Sequence, residues 1–354
     1  MSKITCVVPC TATLLAALAA APALAAGEEF TTISGKMFVD LTHIDLTNDG
    51  VDSTANGTGL DVKRFYLGVT HNFDDTWSAN ITTDFNYVSN DSETQVFIKK
   101  AYLQAKLSDA FIARAGSADL PWVPFVEDLY GYRYVENVII DRLKFGTSAD
   151  WGVHAGGKVA DGMMNYAVSV VNGAGYKNPT RTKSMDLEGR VGFVPVAGLT
   201  LAVGGYDGKL GKDVTGTQTQ HTAQRYDALA AYVNEGLRLG VELFEAKNWN
   251  QVTTVAEDKA DGGSIWASYN FNPQWGVFGR ADEAKTSKDL SSNLKDRYFD
   301  VGLASHPRKN IDVAFVYKYE KVDGGGTVST SNGTIGGLNE GKYKEFGVWG
   351  QVQF

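Results

Sequence analysis

Segments in which apolar and polar side chains alternate with a period of two follow one another from about residue 60 to the last residue. In "LRLGVELFEA", for example, Leu237, Leu239 and Leu243 share one face, and Arg238 and Glu242 share the other. This alternation, in segments rich in β-branched and aromatic residues, is typical of β-strands with one apolar face. We therefore predict an all-β chain.

The connections between these strands alternate strictly between short and long. The short turns lie at 74–76, 108–110, 160–162, 196–198, 234–236, 272–274 and 307–309. The long polar connections lie near 47–58, 88–94, 117–146, 172–184, 207–223, 247–262, 283–296 and 322–341. With both end strands counted, this pattern gives about sixteen strands, an even number in the range of bacterial membrane barrels. All long connections then fall at one end of the sheet.

Aromatic residues stand beside the short turns. Trp77, Phe111 and Trp275 begin strands directly after such turns, and Phe73 and Phe271 end strands directly before them. Short turns at one end, long loops at the other and aromatic belts at the interfaces are typical of a transmembrane antiparallel β-barrel. We predict that fold; a soluble secreted β protein that binds a ligand is the alternative.

The last segment, "KYKEFGVWGQVQF", keeps its alternation up to the terminal residue, with Phe346, Val348 and Phe354 on one face. Chain ends usually fray, so a terminal strand of this kind indicates full pairing. We predict that it closes the barrel by pairing with the first strand, near 33–46. A terminal Phe is also typical of outer-membrane proteins as a class.

The N-terminal segment 1–25 has a lysine, an apolar run and a small-residue site at Ala23-Leu24-Ala25, which is the pattern of a cleaved signal peptide. The predicted barrel domain is 26–354. Cys6 and Cys10, the two cysteines of the chain, both precede the predicted cleavage site. A net charge of −8 at pH 7 argues against nucleic acid as a partner.

The connection at 117–146 is too long for a hairpin and rich in aromatic residues, so we expect it to fold into the barrel lumen and narrow a channel. A surface loop at a subunit interface is the alternative. The predicted channel-lining residues are charged. They are Glu127, Asp128, Arg133, Glu136, Arg142 and Lys144 on this loop, and Arg64, Lys100, Lys106 and Arg114 on the wall.

Several stretches within about residues 94–176 resemble the phosphate-selective porin family, the O- and P-type outer-membrane channels. These stretches are "FIKKAYLQAK", "GSADLPWVPFVEDL", "YRYVEN", "DWGVHAGG" and "YAVSVVNGAG". The resemblance implies a sixteen-stranded barrel, a homotrimer, and passage of anions such as phosphate. The basic pair of the family corresponds to Lys99 and Lys100. The alternation predicts that Lys100 faces the lumen and that Lys99 points towards lipid.

These patterns lead to one main hypothesis: a passive diffusion channel for small hydrophilic solutes in the outer membrane of a Gram-negative cell, without catalysis, cofactor or metal. An outer-membrane lipase is the enzymatic alternative, and His154 with Ser148 or Ser169 is its only support. The segment 45–50 partly matches a calcium loop but has no Glu at the twelfth position, so we interpret it as a polar outer loop.

Overall fold

The computed structural model describes residues 29–86 and 95–354. The predicted signal peptide and the connection at 88–94 lie outside these residues. Within the described residues there are two short helices, α1 (Val123–Tyr130) and α2 (Ile139–Arg142). No helix in the described part of the chain is long and apolar enough to cross a membrane.

Sixteen long strands form one closed antiparallel sheet, which confirms the predicted fold class. The strands are β1 (Phe30–Asn48), β2 (Gly57–Asn72), β3 (Trp77–Asn86), β4 (Gln95–Ser108), β5 (Phe111–Asp119), β6 (Ala149–Val159), β7 (Met164–Val171), β8 (Asp186–Val196), β9 (Leu199–Gly208), β10 (Ala223–Val233), β11 (Leu237–Lys247), β12 (Lys259–Asn272), β13 (Trp275–Lys285), β14 (Lys295–Arg308), β15 (Ile311–Asp323) and β16 (Glu340–Gln353). Three short strands, Val51–Asp52, Gly326–Thr330 and Gly333–Gly337, belong to the long connections.

The last strand closes the ring as the sequence predicts. β16 pairs with β15 on one side and with β1 on the other, from Lys36 opposite Gln353 to Asn48 opposite Gly341. Pairing continues to the final residue, because Gly35 and Phe354 exchange two backbone hydrogen bonds of 2.9 and 3.0 Å. No edge of the barrel sheet is left unpaired, which is what a strand structure needs inside hydrocarbon.

The two faces of the sheet have opposite polarity. Large apolar side chains point outward and are exposed, for example Leu243 (54%) and Phe315 (55%). Charged side chains on neighbouring positions, such as Glu242 and Asp282, point into the lumen and are buried there. An apolar exterior around a charged interior is the reverse of a soluble protein and suits a barrel surrounded by lipid.

Aromatic residues lie at the short-turn end as predicted. Phe73, Phe271 and Trp275 are exposed on the outer face. Trp77 and Phe111 are half-buried because they cover two alanines of neighbouring strands. This end of the barrel therefore carries the aromatic side chains that mark a membrane interface.

At the opposite end, the first and last long connections are joined. The Asp49 carboxylate accepts backbone N–H groups of Leu338 (2.7 Å), Asn339 (2.7 Å) and Glu340 (3.2 Å). Through these hydrogen bonds, the Asp49 carboxylate joins the first long connection to the last one. The described residues contain no cluster of side chains arranged to hold a metal ion.

Candidate pore constriction

The third long connection folds into the lumen, as the sequence predicts. β5 ends beyond Gly116, whose φ of +127° and whose contact with the Ala101 carbonyl leave no room for a side chain. α1 follows, with Pro124 in its first turn and Gly131 in a left-handed conformation (φ +83°) at its C-terminus. Glycine is favoured there because it adopts positive φ at little cost.

Aromatic residues of this loop are packed against the wall formed by β8–β13. Trp122 is fully buried; its backbone N–H donates to Glu188 Oε1 (3.0 Å) and its indole N–H to Glu242 Oε1 (2.8 Å). Tyr132 stacks on Phe278 with 4.0 Å between the ring centroids. The aromatic residues that predicted an inward loop therefore bind it to one side of the barrel.

Arginines of the same wall satisfy the loop's backbone carbonyl groups. Arg225 donates to the Phe145 carbonyl (2.6 Å), and Arg238 donates to the Leu129 carbonyl (2.9 Å). A buried loop has carbonyl groups that no regular element pairs, and leaving them unpaired would be costly. Charged side chains of the wall supply the missing partners.

Arg142 is the main ionic anchor of the loop. Its guanidinium contacts Asp282 (2.9 Å), Asp296 (2.5 Å) and Glu320 (2.5 Å), and all four side chains are inaccessible to solvent. The prediction that Arg142 lines the channel therefore needs correction: α2 turns this residue towards β13–β15, where three carboxylates surround it.

Glu136 also contributes to the anchoring. It lies 3.4 Å from the Lys318 ammonium and accepts a hydrogen bond from Ser331 Oγ (2.7 Å) in the last long connection. The neighbouring Lys144 donates to Ser329 Oγ (2.7 Å). The predicted lining residues Glu136 and Lys144 thus connect the third loop to the last one.

With the loop fixed to one side, two cavities remain beside it, one facing β1 and β2 and the other facing β6, β8–β10 and the connection 172–184. One cavity of about 380 Å³ includes Phe38, Lys63 and Arg133 in its lining, and a second of about 340 Å³ includes Asp150 and Tyr176. The two cavities share three lining residues, Arg64, Asp141 and Lys144. We interpret these three side chains as the waist of the channel.

Charges of both signs line this space. Arg64 pairs with Asp84 (2.9 Å), and Lys100 pairs with Asp119 (2.5 Å), on the wall side. On the loop side, Arg133 contacts Glu127, and its guanidinium lies 3.8 Å from Asp141. Asp128 is exposed on the same loop. Paired charges therefore face the waist from two opposite surfaces.

The prediction that Lys99 faces lipid is wrong. Thr82 pairs with Lys100 and Thr83 with Ile98, so Lys99 is the extra residue of a β-bulge. Its side chain is 8% exposed and its ammonium lies 4.6 Å from the Tyr66 ring centre inside the barrel. A bulge interrupts the two-residue alternation, and both members of the basic pair consequently face the lumen.

A second basic pair is arranged in the same way. Phe38 pairs with Arg64 and Val39 with Val62, which leaves Lys63 as a bulged residue in β2. Lys63 contacts Asp40 (3.0 Å) inside the barrel. The sequence interpretation missed Lys63. The only local signal was the occurrence of two adjacent basic residues within a strand, at 63–64 and again at 99–100.

Several lumenal cations are placed against aromatic rings instead of carboxylates. Lys99 lies near the rings of Tyr66 and Tyr176, and Lys36 lies 6.0 Å from the ring centre of Phe38. In the described part of the chain neither lysine forms a salt bridge. A ring stabilises a cation without neutralising its charge, so these lysines retain their attraction for anions.

The remaining predicted wall residues lie nearer the short-turn end. Arg114 donates to Gln104 (2.8 Å) and packs on the Tyr102 ring. Lys106 pairs with Asp109 in the turn that follows β4, at 2.8 Å, and its side chain is 47% exposed. Arg114 thus lines the wall below the waist, while Lys106 belongs to the rim.

The His154 and Ser169 side chains do lie together, with 2.8 Å between Nδ1 and Oγ. Both are buried on the lumen face, where His154 also contacts the Gly116 carbonyl. A lipase embedded in the membrane would need this pair on the outer wall, where lipid arrives. The geometry fits a structural hydrogen bond between β6 and β7.

Comparison with models of known protein families found no match, and none was found among curated proteins. Solved structures do match. An anion-selective porin from Comamonas acidovorans aligns with a TM-score of 0.69 at 12% identity, over 92% of this chain and 100% of that one. The channel DcaP of Acinetobacter baumannii gives a TM-score of 0.63 at 13% identity over 94% and 100%. The trimer form of OmpT from Vibrio cholerae gives 0.62 at 12% over 93% and 100%.

At this level of sequence identity, the structural similarity shows a shared fold and no more than that. It does not reach the phosphate-selective O and P type that the sequence motifs resemble. The chain therefore has the fold of the bacterial outer-membrane porins.

Proposed function

We propose that this protein is an outer-membrane porin, a water-filled channel for passive diffusion of small hydrophilic solutes. The observation that carries the proposal is a closed barrel with an apolar exterior and a charged lumen, narrowed by one inward loop. Such a barrel needs no catalytic group or cofactor to work, because diffusion through it follows the solute gradient. Residues 1–25 would then be a signal peptide that is removed on export.

We further propose that the channel favours anions, with phosphate as the first to test. Support comes from Lys36 and Lys99, whose charges face aromatic rings without forming salt bridges. Arg64 and Lys144 at the waist add positive charge opposite Asp141. One structural neighbour is described as anion-selective.

A homotrimer is the proposed assembly. In the described residues of β2–β8, the charged side chains point into the lumen. The outward face of these strands carries no charged side chain. Its small outward residues would allow close packing against another barrel. They include Ala101, Ala115 and Gly157, which are half-buried. One OmpT structure among the neighbours is a trimer form.

Planar-bilayer recording tests the channel and its selectivity together. We expect stepwise ohmic openings, and a reversal potential in a KCl gradient that indicates anion preference. Lys99→Gln should lower the anion/cation permeability ratio by roughly a factor of three, since it removes one unpaired charge beside the channel. Lys106→Gln at the rim is the matched control.

The contrary results are equally clear. A purified protein that forms no conductance but cleaves ester substrates would favour the lipase alternative. Equal permeability ratios in wild type, Lys99→Gln and Lys106→Gln would show that Lys99 does not act on passing ions.

A further inference from the structure

The last long connection leaves the barrel wall where β15 ends, and it turns sharply. Gly324 and Gly326 adopt positive φ values of +99° and +135° there. A Cβ atom on Gly324 would lie 1.8 Å from the Asn293 carbonyl oxygen, so no other residue fits at this position without a shift of the backbone. Glycine adopts such a conformation at little cost. These glycines therefore let the chain reverse its direction next to the neighbouring connection.

The chain then forms a hairpin of its own, which we call the inner hairpin (326–337). Its strands Gly326–Thr330 and Gly333–Gly337 pair with each other and form a sheet separate from that of the barrel. Val328 and Ile335 lie opposite each other, and both side chains are buried together with apolar residues of the barrel. A two-stranded hairpin is only marginally stable by itself, so this burial fixes the inner hairpin against the barrel.

Two strands of the barrel also bind the inner hairpin through polar contacts. Asn48, the last residue of β1, accepts the Gly336 N–H at Oδ1 (2.9 Å) and donates from Nδ2 to the Thr334 carbonyl (3.2 Å). Glu320, which is fully buried on the lumen face of β15, accepts a hydrogen bond from Asn332 Nδ2 (2.7 Å). The hairpin is thus attached to β1 and to β15, and its contact with Glu320 places it inside the lumen.

The tip of the inner hairpin, Ser331 and Asn332, reaches the third long connection. The Ser331 backbone N–H donates to the Arg142 carbonyl (2.9 Å), and the Ser331 hydroxyl donates to Glu136 Oε1 (2.7 Å). The Arg142 guanidinium binds the same Glu320 carboxylate that accepts from Asn332. The third loop and the inner hairpin therefore belong to one network of contacts, which fixes the position of the tip.

The same tip also borders the open space of the lumen. Ser331 is exposed, and both Ser331 and Asn332 belong to the lining of the cavity of about 380 Å³, together with basic residues of β2 and of the third loop. Lys144, which lines this cavity and the second one, donates to Ser329 Oγ of the hairpin (2.7 Å). The inner hairpin therefore contacts the waist at its lysine and contributes to its wall.

We propose that the inner hairpin is a second constriction element, which narrows the waist from the side of β1 and β15 and sets the size limit for solutes. The inference rests on the proposed channel function and gives a role to a segment other than the third loop. The exposed tip in the cavity lining carries it. The hydroxyl groups of Ser329 and Ser331 and the amide of Asn332 are uncharged, so the hairpin restricts size, while the basic residues around it act on charge.

Truncation of the inner hairpin tests this role. Residues 328–335 are replaced by two glycines, which removes the tip and its contacts with the third loop. In planar bilayers, the single-channel conductance should rise about twofold over wild type, because one side of the waist is removed. The truncated barrel should also admit larger neutral polyethylene glycols than wild type does.

The matched control replaces residues 213–220, in the connection between β9 and β10, by two glycines. This segment is absent from the lining of both channel cavities, so its conductance and polymer size limit should equal those of wild type. Heat-dependent electrophoretic mobility checks that each barrel is folded. A folded barrel with the truncated hairpin and an unchanged conductance and size limit would overturn the proposal. A wild type that forms no conducting pore would instead refute the channel function.

A single thiol at the tip separates a lining role from one that only braces the third loop. Residues 26–354 contain no cysteine, so Ser331→Cys is the one reactive site in the predicted mature chain. Modification with sulfonatoethyl methanethiosulfonate adds bulk and a negative charge, and it should lower the current by about half until dithiothreitol removes the group. Thr215→Cys, at an exposed position of the control segment, should keep its full current. Equal responses of the two variants would show that the tip lies off the path of the ions and would refute the proposal.

Discussion

At the scale of single residues, burial and partner number separate two kinds of charged side chain in the lumen. Arg142 is surrounded by three carboxylates and has no exposed surface, whereas Arg64 is paired once and 21% exposed at the waist. A buried ion pair is costly to break, because removal of one member leaves the other charge unpaired in a medium of low polarity. The first residue therefore holds the loop, and the second can meet a solute.

Arg142→Met should lower the free energy of unfolding by about 3–5 kcal/mol, since Asp282, Asp296 and Glu320 would lose their shared cation. Urea titration of the folded barrel in lipid vesicles measures this change. Arg297→Met is the control: that residue also contacts two carboxylates, but its side chain is 44% exposed. Its loss should cost under about 1 kcal/mol. Similar losses in both variants would contradict the anchoring role of Arg142.

At the scale of structural elements, the long connections hold one another. The third loop contacts the last one through Glu136 and Ser331, and the last loop contacts the first through Asp49. Backbone N–H groups of Asn339 and Leu338 lower the pKa of Asp49 below its ordinary value of 3.8. Because folding lowers the pKa of Asp49, its ionised carboxylate stabilises the contact between the first and last loops at pH values above the ordinary pKa. That contribution disappears as the pH falls through the lowered value.

Asp49→Asn should therefore melt at a lower temperature than wild type at pH 7, and the difference should vanish once the pH is well below 3.8. Thermal unfolding followed by circular dichroism at a series of pH values measures it. Asp52→Asn, an exposed change in the adjacent short strand, serves as control. A melting difference that persists at the lowest pH would mean that the carboxylate charge of Asp49 does not stabilise the loops.

At the scale of the whole molecule, the outer surface is divided into two arcs. The arc of β10–β16 carries a belt of exposed charges, while in the arc of β2–β8 the described strand residues place no charged side chain outward and include many small residues. The lumen is similarly divided, since the third loop covers one side and leaves a cavity beside β1 and β2.

The proposed trimer gives a test of this division. Ala101→Trp places a large side chain on the uncharged arc and should convert the oligomer to monomers, because close packing of neighbouring barrels would be blocked. Ala267→Trp makes the same change on the opposite arc and should leave the oligomer intact. Size-exclusion chromatography with light scattering measures the mass in each case. A monomeric wild type, or an intact Ala101→Trp oligomer, would count against this interface.

Local sequence by itself determined the strands, their number and the inward third loop. Alternation, turn residues and aromatic side chains are short-range patterns that one segment carries alone. The directions of Lys99 and Lys63, the burial of Arg142 and the cavity beside β1 and β2 depended on the tertiary structure. A bulge exists only relative to the partner strand, and Arg142 finds Asp282, Asp296 and Glu320 only when residues over a hundred positions apart meet. Pairing register and loop docking are long-range properties, and they decide which of the predicted charges face the channel.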